Sequence, residues 1–386
     1  MLPKGWTVIK LSEYVNKIGS GVTPTGGSNT YKSKGIPLIR SQNVLWGKLE
    51  LSDVAYIDNT QHQKMKSSKV TNGDVLLNIT GASIGRAALV FDIDEANVNQ
   101  HVCIIRTKNE LAPAFLKDFL LSFGGQKQIE QFQSGGNRQG LNFEQIGSFK
   151  INLPPLPEQI KIAEILSTWD NAINTVQKLL ANSQQQKKSL MQQLLTGKKR
   201  FAGFEGEWEE KALRKICQIN KGVQINRDTL SDNDVYPVIN GGITPSGYTS
   251  EYNVEANTIT ISEGGNSCGF VSFMAQDFWC GGHCYALKNV TISNSYLYHF
   301  LKFKEPIIMS LRVGSGLPNI QKKAIEGLSV LVPTDIEQQK IAAVLTIADQ
   351  ETDNLRAQLN HLKQEKKALM QQLLTGKRRV KIEEAA

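Results

Sequence analysis

A 43-residue segment occurs twice in this chain, and this duplication constrains the fold more than any other feature of the sequence. Residues 158–200 align without a gap with residues 337–379, and 21 of the 43 aligned pairs are identical. The stretch LMQQLLTGK is the same in both copies. An internal repeat of this length predicts an architecture in which one structural unit is built twice.

Each copy of the repeat predicts a long helix with a coiled-coil seam. Apolar residues recur at alternating spacings of four and three through residues 162–194 and again through residues 341–373. This period is typical of helices that pack side by side along their length. Lys187 and Lys366 interrupt the seam at equivalent positions. A charged seam residue can fix the register of the pairing, or the seam opens at that point, and the sequence favours neither.

The ends of the two helices are also marked. Pro157 stands where a helix begins, because its missing N–H is harmless in the first turn. Gly197 and Gly376 follow the last apolar residues of the seams, as glycines that end helices do. About forty residues form a helix roughly 60 Å long. We expect the two helices to pack as an antiparallel coiled coil about a pseudo-twofold axis.

The residues before each helix predict two globular domains of similar fold. Short β-rich runs with Gly, Asn and Ser turns dominate both. Four pairs of segments correspond: residues 36–44 with 236–244, 73–85 with 257–269, 97–105 with 278–287, and 114–122 with 295–303. The predicted fold class is therefore α+β. Its parts are a first domain (1–153), a central helix (154–197), a linker and second domain (198–332), a distal helix (333–376) and a basic and acidic tail (377–386).

The net charge narrows the class of partner. The chain has 386 residues and a net charge of +8, which favours a polyanion such as nucleic acid. The opening MLPKGWTVIKLSEY lacks the apolar core of a signal peptide, and no apolar run has the length of a membrane span. Five cysteines without a framework spacing fit a reducing cytosol. We therefore expect a cytoplasmic protein without membrane contact.

Three motifs and their order resemble one protein family. PLPEQIKIAEIL and IEQQKIAAVL open the two helices, and KKSLMQQLLTGKKRFAGFEGEWE closes the first helix and leads into the second domain. The opening LPKGWTVIKLSEY looks like a domain start in the same family. With its order of domain, helix, domain and helix, the whole chain resembles the specificity subunits of type I restriction–modification systems.

The resemblance implies a function in DNA recognition. In this family each target-recognition domain reads one half of a bipartite, asymmetric DNA target, and the paired helices set the spacer and dock methyltransferase subunits. The implied partners are double-stranded DNA, two methyltransferase subunits and up to two motor-nuclease subunits. The resemblance also implies that this chain is not an enzyme and holds no cofactor, since S-adenosylmethionine, ATP and Mg²⁺ would be bound by the partner subunits.

The residues themselves agree with a non-catalytic chain. There is no G-x-x-x-x-G-K-[ST] phosphate loop, and the Asn-Pro-Pro-aromatic motif of adenine methylation is missing, since the Pro-Pro pair lies in LPPLP. The five histidines give no convincing Ser/His/Asp arrangement. Two alternatives stay open. One is a nuclease or methyltransferase with a weak-motif active site, and the other is a coiled-coil scaffold whose domains bind protein or glycan.

Base contacts are expected on loops rich in Arg, Asn, Gln and Ser. Arg suits guanine O6 and N7, and Asn or Gln suits adenine N6 and N7. In the first domain the best candidate loop is SGGNRQGLN at 134–142, followed by the loops at 40–43 and 80–86. The candidate DNA-binding residues there are Arg40, Gln42, Asn43, Thr80, Ser83, Arg86, His101, Asn137, Arg138, Gln139 and Asn142.

Three loops of the second domain correspond to these, at residues 240–246, 263–267 and 312–321. Gly- and Asn-rich stretches also form ordinary turns, so for any single residue a structural role competes with DNA contact. The basic residues that follow Gly197 and Gly376 stand where a loop can touch DNA phosphate or a partner subunit. The candidate DNA-binding residues of this domain are Asn240, Ser246, Asn266, Ser267, His283, Arg312, Ser315, Asn319 and Gln321.

A zinc site is the alternative for four residues of the second domain, which could complete a tetrahedron: Cys268, Cys280, His283 and Cys284. The spacing C-x-x-H-C is not that of a standard zinc finger. The first domain has His101 and Cys103 at the parallel position but no partner cysteines. A site that the fold requires would recur in both copies. We therefore predict no metal site and expect both histidines to pack or to contact DNA.

Overall fold

The chain folds into two compact units, each with one globular domain and a part of both long helices. The structure, a computed structural model, describes residues 2–24, 26–133, 140–314, 316 and 318–382. The first unit consists of Met1–Val176 and Gln358–Ala386, and the second of Gln177–Ala357. The first unit is therefore made from both ends of the chain.

Short strands and helices make up the first domain. Its strands are β1 (Thr7–Lys10), β2 (Val15–Ser20), β3 (Ile36–Ile39), β4 (Ala55–Ile57), β5 (Lys69–Val70), β6 (Val75–Asn78), β7 (Ala87–Leu89), β8 (Ala96–Val98), β9 (Val102–Thr107) and β10 (Lys150–Leu153). Its helices are α1 (Asn59–Lys64), α2 (Pro113–Leu121), α3 (Phe123–Gln131) and α4 (Phe143–Gly147). The long helix α5 (Leu156–Leu194) follows directly.

The second domain has a similar succession of elements. Its strands are β11 (Glu209–Ala212), β12 (Gln218–Lys221), β13 (Tyr236–Ile239), β14 (Tyr248–Thr249), β15 (Thr258–Ser262), β16 (Val271–Met274), β17 (Trp279–Cys280), β18 (Cys284–Lys288) and β19 (Ser329–Val332). Its helices are α6 (Asn294–Ser310) and α7 (Lys322–Glu326), and the second long helix is α8 (Asp335–Leu373). Among the described residues, no helix is long and apolar enough to cross a membrane.

The two domains share one sheet topology. In the first domain the two four-stranded sheets have the orders β2-β9-β6-β7 and β4-β3-β8-β5. In the second domain the corresponding orders are β12-β18-β15-β16 and β14-β13-β17. In each second sheet one pair of strands is parallel, β3 with β8 and β13 with β17. The predicted α+β fold with two similar domains is confirmed.

A central strand of the first domain is buried on both faces. Val75 and Leu77 of β6 pack into one core, and Leu76 packs into another. A strand buried on both faces reads as a continuous apolar run rather than an alternating one, as β6 does. The larger core also contains Ile162 of α5 and Leu373 of α8. The ends of both long helices are therefore part of the core of this domain.

The two helix segments of the second unit run antiparallel. The hydroxyls of Ser183 in α5 and Thr352 in α8 share a hydrogen bond of 3.2 Å. Lys187, one turn further along α5, pairs with Asp349, one turn back along α8. Polar residues of the predicted seam are therefore paired with partners on the opposite helix.

The first unit repeats the ion pair of the seam. Lys366 of α8 donates a hydrogen bond to Asp170 of α5 at 2.5 Å, which is the counterpart of the pair between Lys187 and Asp349. The lysine side chains are only 13% and 23% exposed. A slip of the helices by one turn would leave a half-buried ammonium without its carboxylate, which is costly. Of the two alternatives for these lysines, the structure therefore favours a charge that fixes the register.

A buried carboxylate joins three segments of the second unit. Glu337, in the first turn of α8, accepts hydrogen bonds from the guanidinium of Arg200 at 2.9 and 2.7 Å. It also accepts one from the indole N–H of Trp208 at 3.1 Å. The Glu337 side chain is fully buried. The start of α8, the residues that follow α5 and the start of the second domain therefore meet at one charge.

The first unit contains the same joint. Glu158, in the first turn of α5, accepts a hydrogen bond from the indole N–H of Trp6 at 3.1 Å. It also accepts one from Nε of Arg379 at 3.3 Å, and its side chain is 2% exposed. The residues that follow α8 are therefore anchored at the start of the first domain.

A buried histidine marks the contact of α6 with α8. Nε2 of His299 lies 3.0 Å from Oγ1 of Thr346, and Nδ1 lies 3.6 Å from a carboxylate oxygen of Asp349. The His299 side chain is 2% exposed. Burial lowers the pKa of His299 to about 4 although Asp349 raises it, and Lys187 lowers it further. The ring is therefore neutral near pH 7.

We expect Glu337→Ala to destabilise the second unit by about 1–3 kcal/mol, because it leaves the indole N–H of Trp208 without its acceptor and removes the hydrogen bonds to Arg200. Thermal unfolding of the full chain should show a lower Tm. Glu351→Ala, on the exposed face of the same helix, is the matched control and should change the Tm little. An unchanged Tm for Glu337→Ala would contradict the role of this carboxylate.

We expect the second unit to lose stability as the pH falls from about 6.5 to about 4. In this range His299 becomes protonated in the unfolded chain, because the ordinary pKa of histidine is 6.5, while the ring stays neutral in the folded chain. The contribution of His299 is complete above pH 6.5 and is lost toward pH 4. The Tm should fall more steeply with decreasing pH for the unmodified chain than for His299→Gln. His361→Gln, which changes an exposed histidine of α8, should keep the original slope.

Candidate nucleic-acid interface

Predicted loops of the second domain converge on one cleft of about 480 Å³. The cleft lies at the ends of β12, β13 and β15 and before β18. Asn240, Ser267, His283 and Asn319 were predicted as DNA contacts and all line it. The full lining is Lys221, Asn240, Gly241, Gly242, Glu263, Gly264, Gly265, Ser267, His283, Pro318 and Asn319.

Hydrogen bonds hold these loops against each other. The backbone N–H of Glu263 donates to the carbonyl of His283 at 2.9 Å, and the carbonyl of Glu263 accepts from Ile320 at 2.8 Å. The side-chain oxygen of Asn240 accepts from the backbone N–H of His283 at 3.1 Å. A Cβ at Gly281 would lie 2.6 Å from this oxygen, so the approach requires glycine there. The cleft is therefore held in shape by its own loops.

Asn240 and Ser267 take part in holding the loops while they line the cleft. The hydroxyl of Ser267 donates to the carbonyl of Gly241 at 2.8 Å, which leaves its lone pairs as acceptors. The contact of Asn240 with His283 uses only the side-chain oxygen of Asn240, so its amide N–H groups take no part in it. Both residues can therefore support the loops and still offer a polar group to a ligand.

The remaining predicted residues of the second domain lie on exposed loops around these segments. Ser246 closes the loop after β13 through its backbone N–H, which donates to Val238 at 2.9 Å. Arg312 and Asn266 are exposed. Gln321 is exposed and directly precedes α7. Ser315 lies outside the described residues.

In the first domain the loops at 80–86 and 101 meet in the same way. Oγ1 of Thr80 lies 2.6 Å from Nδ1 of His101, and Thr80 pairs with Gly140 in an isolated β-bridge. Ser83 and Arg86 are half-buried in the loop between β6 and β7, where the backbone N–H of Arg86 donates to Ser83 at 3.2 Å. This domain therefore also gathers predicted residues at its strand ends.

Asn142 and the segment before it complete the placement of the first-domain candidates. Asn142 is exposed and caps α4, since its side-chain oxygen accepts from the backbone N–H of Gln145 at 2.8 Å. Three further candidates, Asn137, Arg138 and Gln139, lie outside the described residues.

The loop at 40–43 gives its residues different roles. The guanidinium of Arg40 lies 5.4 Å from the ring centre of Tyr31, and the exposed Gln42 contacts a carboxylate oxygen of Asp53 at 3.3 Å. Asn43 is only 3% exposed. Its amide donates to the carbonyls of Glu50 at 3.0 Å and Asp53 at 3.2 Å. We therefore correct the role of Asn43 from base contact to support of the loop.

Two charged residues of the cleft, Lys221 and Glu263, and the buried Tyr285 that contacts Glu263 were not among the candidate residues. Lys221 donates to Oε1 of Glu263 at 2.7 Å, and the hydroxyl of Tyr285 donates to the same oxygen at 3.0 Å. Burial, with a further contribution from Glu263, raises the pKa of Tyr285, so its hydroxyl stays a donor. A charged residue at or just after the end of a strand, as with Lys221 and Glu263, is the signal that could have identified them.

The cysteines near the cleft are structural. Within the ranges that the structure describes, no group of three His, Cys, Asp or Glu side chains is arranged to hold a metal ion. Cys268, Cys280 and Cys284 are free and buried. The thiol of Cys268 contacts the carbonyl of Glu263 at 3.0 Å, and that of Cys280 contacts the carbonyl of Cys284 at 3.5 Å. Their sulfur atoms therefore pack against the backbone of the loops.

Comparison with known proteins assigns the family. The family model described as Type I restriction modification DNA specificity domain matches residues 3–182 and 205–364. The chain belongs to this family. Both matched ranges contain one globular domain and the start of the long helix that follows it.

Individual relatives match nearly the whole chain or a part of it. The provisionally named MjaX specificity subunit of a type I restriction enzyme from Methanocaldococcus jannaschii is 25% identical over 421 residues, covering 98% of this chain and 95% of that protein. A provisionally named type I specificity subunit of Mycoplasma pneumoniae is 34% identical over 152 residues, covering 38% of this chain and 40% of that protein.

A solved structure shares the fold. The crystal structure of a type I restriction–modification S subunit from M. genitalium matches with a TM-score of 0.71 at 18% identity and covers 97% of this chain and 96% of that chain. The resemblance inferred from the sequence is thus confirmed. The role of the chain is that of a type I specificity subunit rather than of an enzyme.

We expect Asn43→Ala to destabilise the first unit by about 1 kcal/mol or more, because it removes the buried amide that donates to the carbonyls of Glu50 and Asp53. The neighbouring Gln42→Ala removes an exposed contact and should change the stability by less than about 0.5 kcal/mol. Thermal unfolding of both variants checks this difference. If both variants melt alike, the supporting role of Asn43 is wrong.

Proposed function

We propose that this specificity subunit reads a bipartite, asymmetric DNA target, one half with each domain. The observation that supports this best is that both domains have the same order in one four-stranded sheet and a similar order in a second sheet, which has one strand fewer in the second domain, but carry different side chains at equivalent strand ends. A common fold with different loop residues suits two different half-sites, because base contacts specify sequence. The net charge of +8 suits a polyanionic partner.

The proposed base contacts are all the described candidates except the buried Asn43. In the first domain these are Arg40, Gln42, Thr80, Ser83, Arg86, His101 and Asn142. In the second domain they are Asn240, Ser246, Asn266, Ser267, His283, Arg312, Asn319 and Gln321. Asn137, Arg138, Gln139 and Ser315 stay candidates on sequence alone.

Exposed basic residues after the long helices are proposed to position the complex. Lys198 and Lys199 follow α5, and Lys377 and Arg378 follow α8, all four exposed. Arg200 and Arg379, by contrast, are engaged by Glu337 and Glu158. Contacts of the four exposed side chains with DNA phosphate or with a partner subunit would add affinity without carrying sequence information.

The long helices are proposed to set the spacer and to dock the partners. Two methyltransferase subunits and up to two motor-nuclease subunits would assemble with this chain in the cytoplasm. S-adenosylmethionine, ATP and Mg²⁺ would be bound by those subunits and not by this one. If both domains dock on one face of B-DNA, the centres of the half-sites lie about one helical turn apart.

Mapping of methylated adenine across the host genome tests the proposal. Deletion of the gene for this chain should abolish methylation at one bipartite motif, and expression of the chain should restore it. Methylation that persists without the chain would contradict the proposal. Incubation of the purified chain alone with DNA, Mg²⁺ and S-adenosylmethionine should give neither cleavage nor methylation, and either product would support the enzyme alternative.

We expect a seven-residue insertion in both long helices to lengthen the spacer and leave both half-sites unchanged. Matched points are after Val176 in α5 and after Leu359 in α8, because a heptad preserves the seam. The insertion adds about 10 Å of helix, or roughly one to three base pairs of spacer. The methylated motif of the variant gives the measurement. Altered half-site bases with an unchanged spacer would contradict the proposal that the helices act as a ruler.

A further inference from the structure

The two domains place different side chains at one equivalent site. Strand pairing sets Ser20 of β2 opposite Cys103 of β9 in the first domain, and Lys221 of β12 opposite Tyr285 of β18 in the second. Both pairs stand at the same end of the same sheet, just before a glycine, and the next loop begins there. The equivalents of Lys221 and Tyr285 in the first domain are therefore a serine and a cysteine.

The residue that follows the neighbouring strand differs as well. Ile79 follows β6 in the first domain, and Glu263 follows β15 in the second. Ile79 is 5% exposed and belongs to the apolar core. Glu263 instead lines the cleft. The site is therefore apolar in one domain and charged in the other.

A histidine is common to both sites but has different neighbours. His101 lies 2.6 Å from Oγ1 of Thr80. Nδ1 of His283 lies 3.9 Å from Oε2 of Glu263, and its side chain is 62% exposed. The second site thus presents an imidazole beside a carboxylate where the first presents an imidazole beside a hydroxyl.

The carboxylate of Glu263 accepts hydrogen bonds from two side chains. Its side chain is 13% exposed, and Oε1 accepts hydrogen bonds from Lys221 and Tyr285. The hydroxyl of Tyr285 reaches the carbonyl of Ile320 at 3.1 Å as well, which ties it to the loop before α7. The Lys221 side chain is 52% exposed. These four residues, Lys221, Glu263, His283 and Tyr285, form one polar cluster. Lys221 and His283 are its accessible members, and Glu263 is largely buried between them.

The balance of charge argues for a base rather than a phosphate as the ligand of this cluster. The carboxylate of Glu263 offsets the positive charge of Lys221 and would repel a phosphate oxygen bound beside it. A neutral base edge has no such penalty. Guanine offers two acceptors side by side in the major groove, O6 and N7, and it is the base that basic side chains contact most often. A lysine ammonium carries three N–H donors and an imidazole ring carries at least one, so both side chains can donate to these acceptors.

We propose that Lys221 and His283 read a guanine in the half-site of the second domain, with Glu263 as the positioning residue that holds Lys221 by a hydrogen bond and lies beside the imidazole of His283. The inference rests on the proposed function of the chain and adds the base and the residues that select it. The first domain, with Ser20 and Ile79 at the same site, reads no guanine by this means.

The test is the methylated motif produced in a host that carries a full-length variant in place of the original gene. Lys221→Ser introduces the residue of the first domain at the equivalent position. We expect the preference for guanine at one position of one half-site to fall roughly tenfold or more, with the other half-site unchanged. His283→Ala should weaken the preference at the same position. Glu263→Gln should weaken it as well while its Tm stays close to that of the unmodified chain.

Lys211→Ser is the matched control, because Lys211 forms an ion pair with the exposed Glu209 on β11 at 2.5 Å, and it should leave the motif intact. A uniform drop in methylation with the motif unchanged, together with a binding affinity that depends less on salt, would assign Lys221 to a phosphate and overturn the inference. Loss of preference at different positions in the Lys221 and His283 variants would overturn it too. Absence of any motif with the unmodified chain would instead refute the proposed function itself.

Discussion

A buried carboxylate in the first turn of each long helix is the interaction on which each unit depends. Glu158 and Glu337 are almost inaccessible to solvent, and a buried charge is tolerable only when it is paired and hydrogen-bonded. The partners come from distant parts of the chain, an indole from the start of a domain and a guanidinium from the end of the opposite helix. One residue thereby fixes the domain, its helix and the antiparallel neighbour at a single point.

The repeated contacts and the differing ones lie in separate regions of each domain. The glutamate–arginine pairs of the joints and the seam ion pairs recur at an offset of 179 residues, and they concern the helices. The differences concern strand ends, where the second domain has Lys221 and Glu263 at the positions of Ser20 and Ile79 in the first. A scaffold stabilised at its helices allows the residues at the strand ends to vary, since the joints and seam pairs do not involve them. This separation suits a protein whose two domains bind different ligands.

The sequence was most informative where a pattern repeats. The helices α5 and α8 and the paired domains follow from the ungapped repeat and its period, because packing on a seam demands apolar residues at fixed spacing. The role of a single residue was harder to predict from the sequence. Asn43 and Gln42 are adjacent amides, yet one is buried beneath its loop and the other exposed, and only tertiary contacts decide which. Lys221 and Glu263 were not predicted as site residues, because their pairing joins two strand ends that are 42 residues apart in the sequence.

The division of the first unit between both ends of the chain affects the order in which the protein can mature. Residues 177–357 form one continuous unit and can close while the ribosome is still at work. The first domain, although made earlier, lacks Leu373 and Leu374 of its core and Arg379 at its joint until α8 and the residues after it have been made. A chain that terminates before α8 would expose apolar surface in the first domain. Such a product is open to proteolysis, so the cell would retain mainly copies with an intact α8.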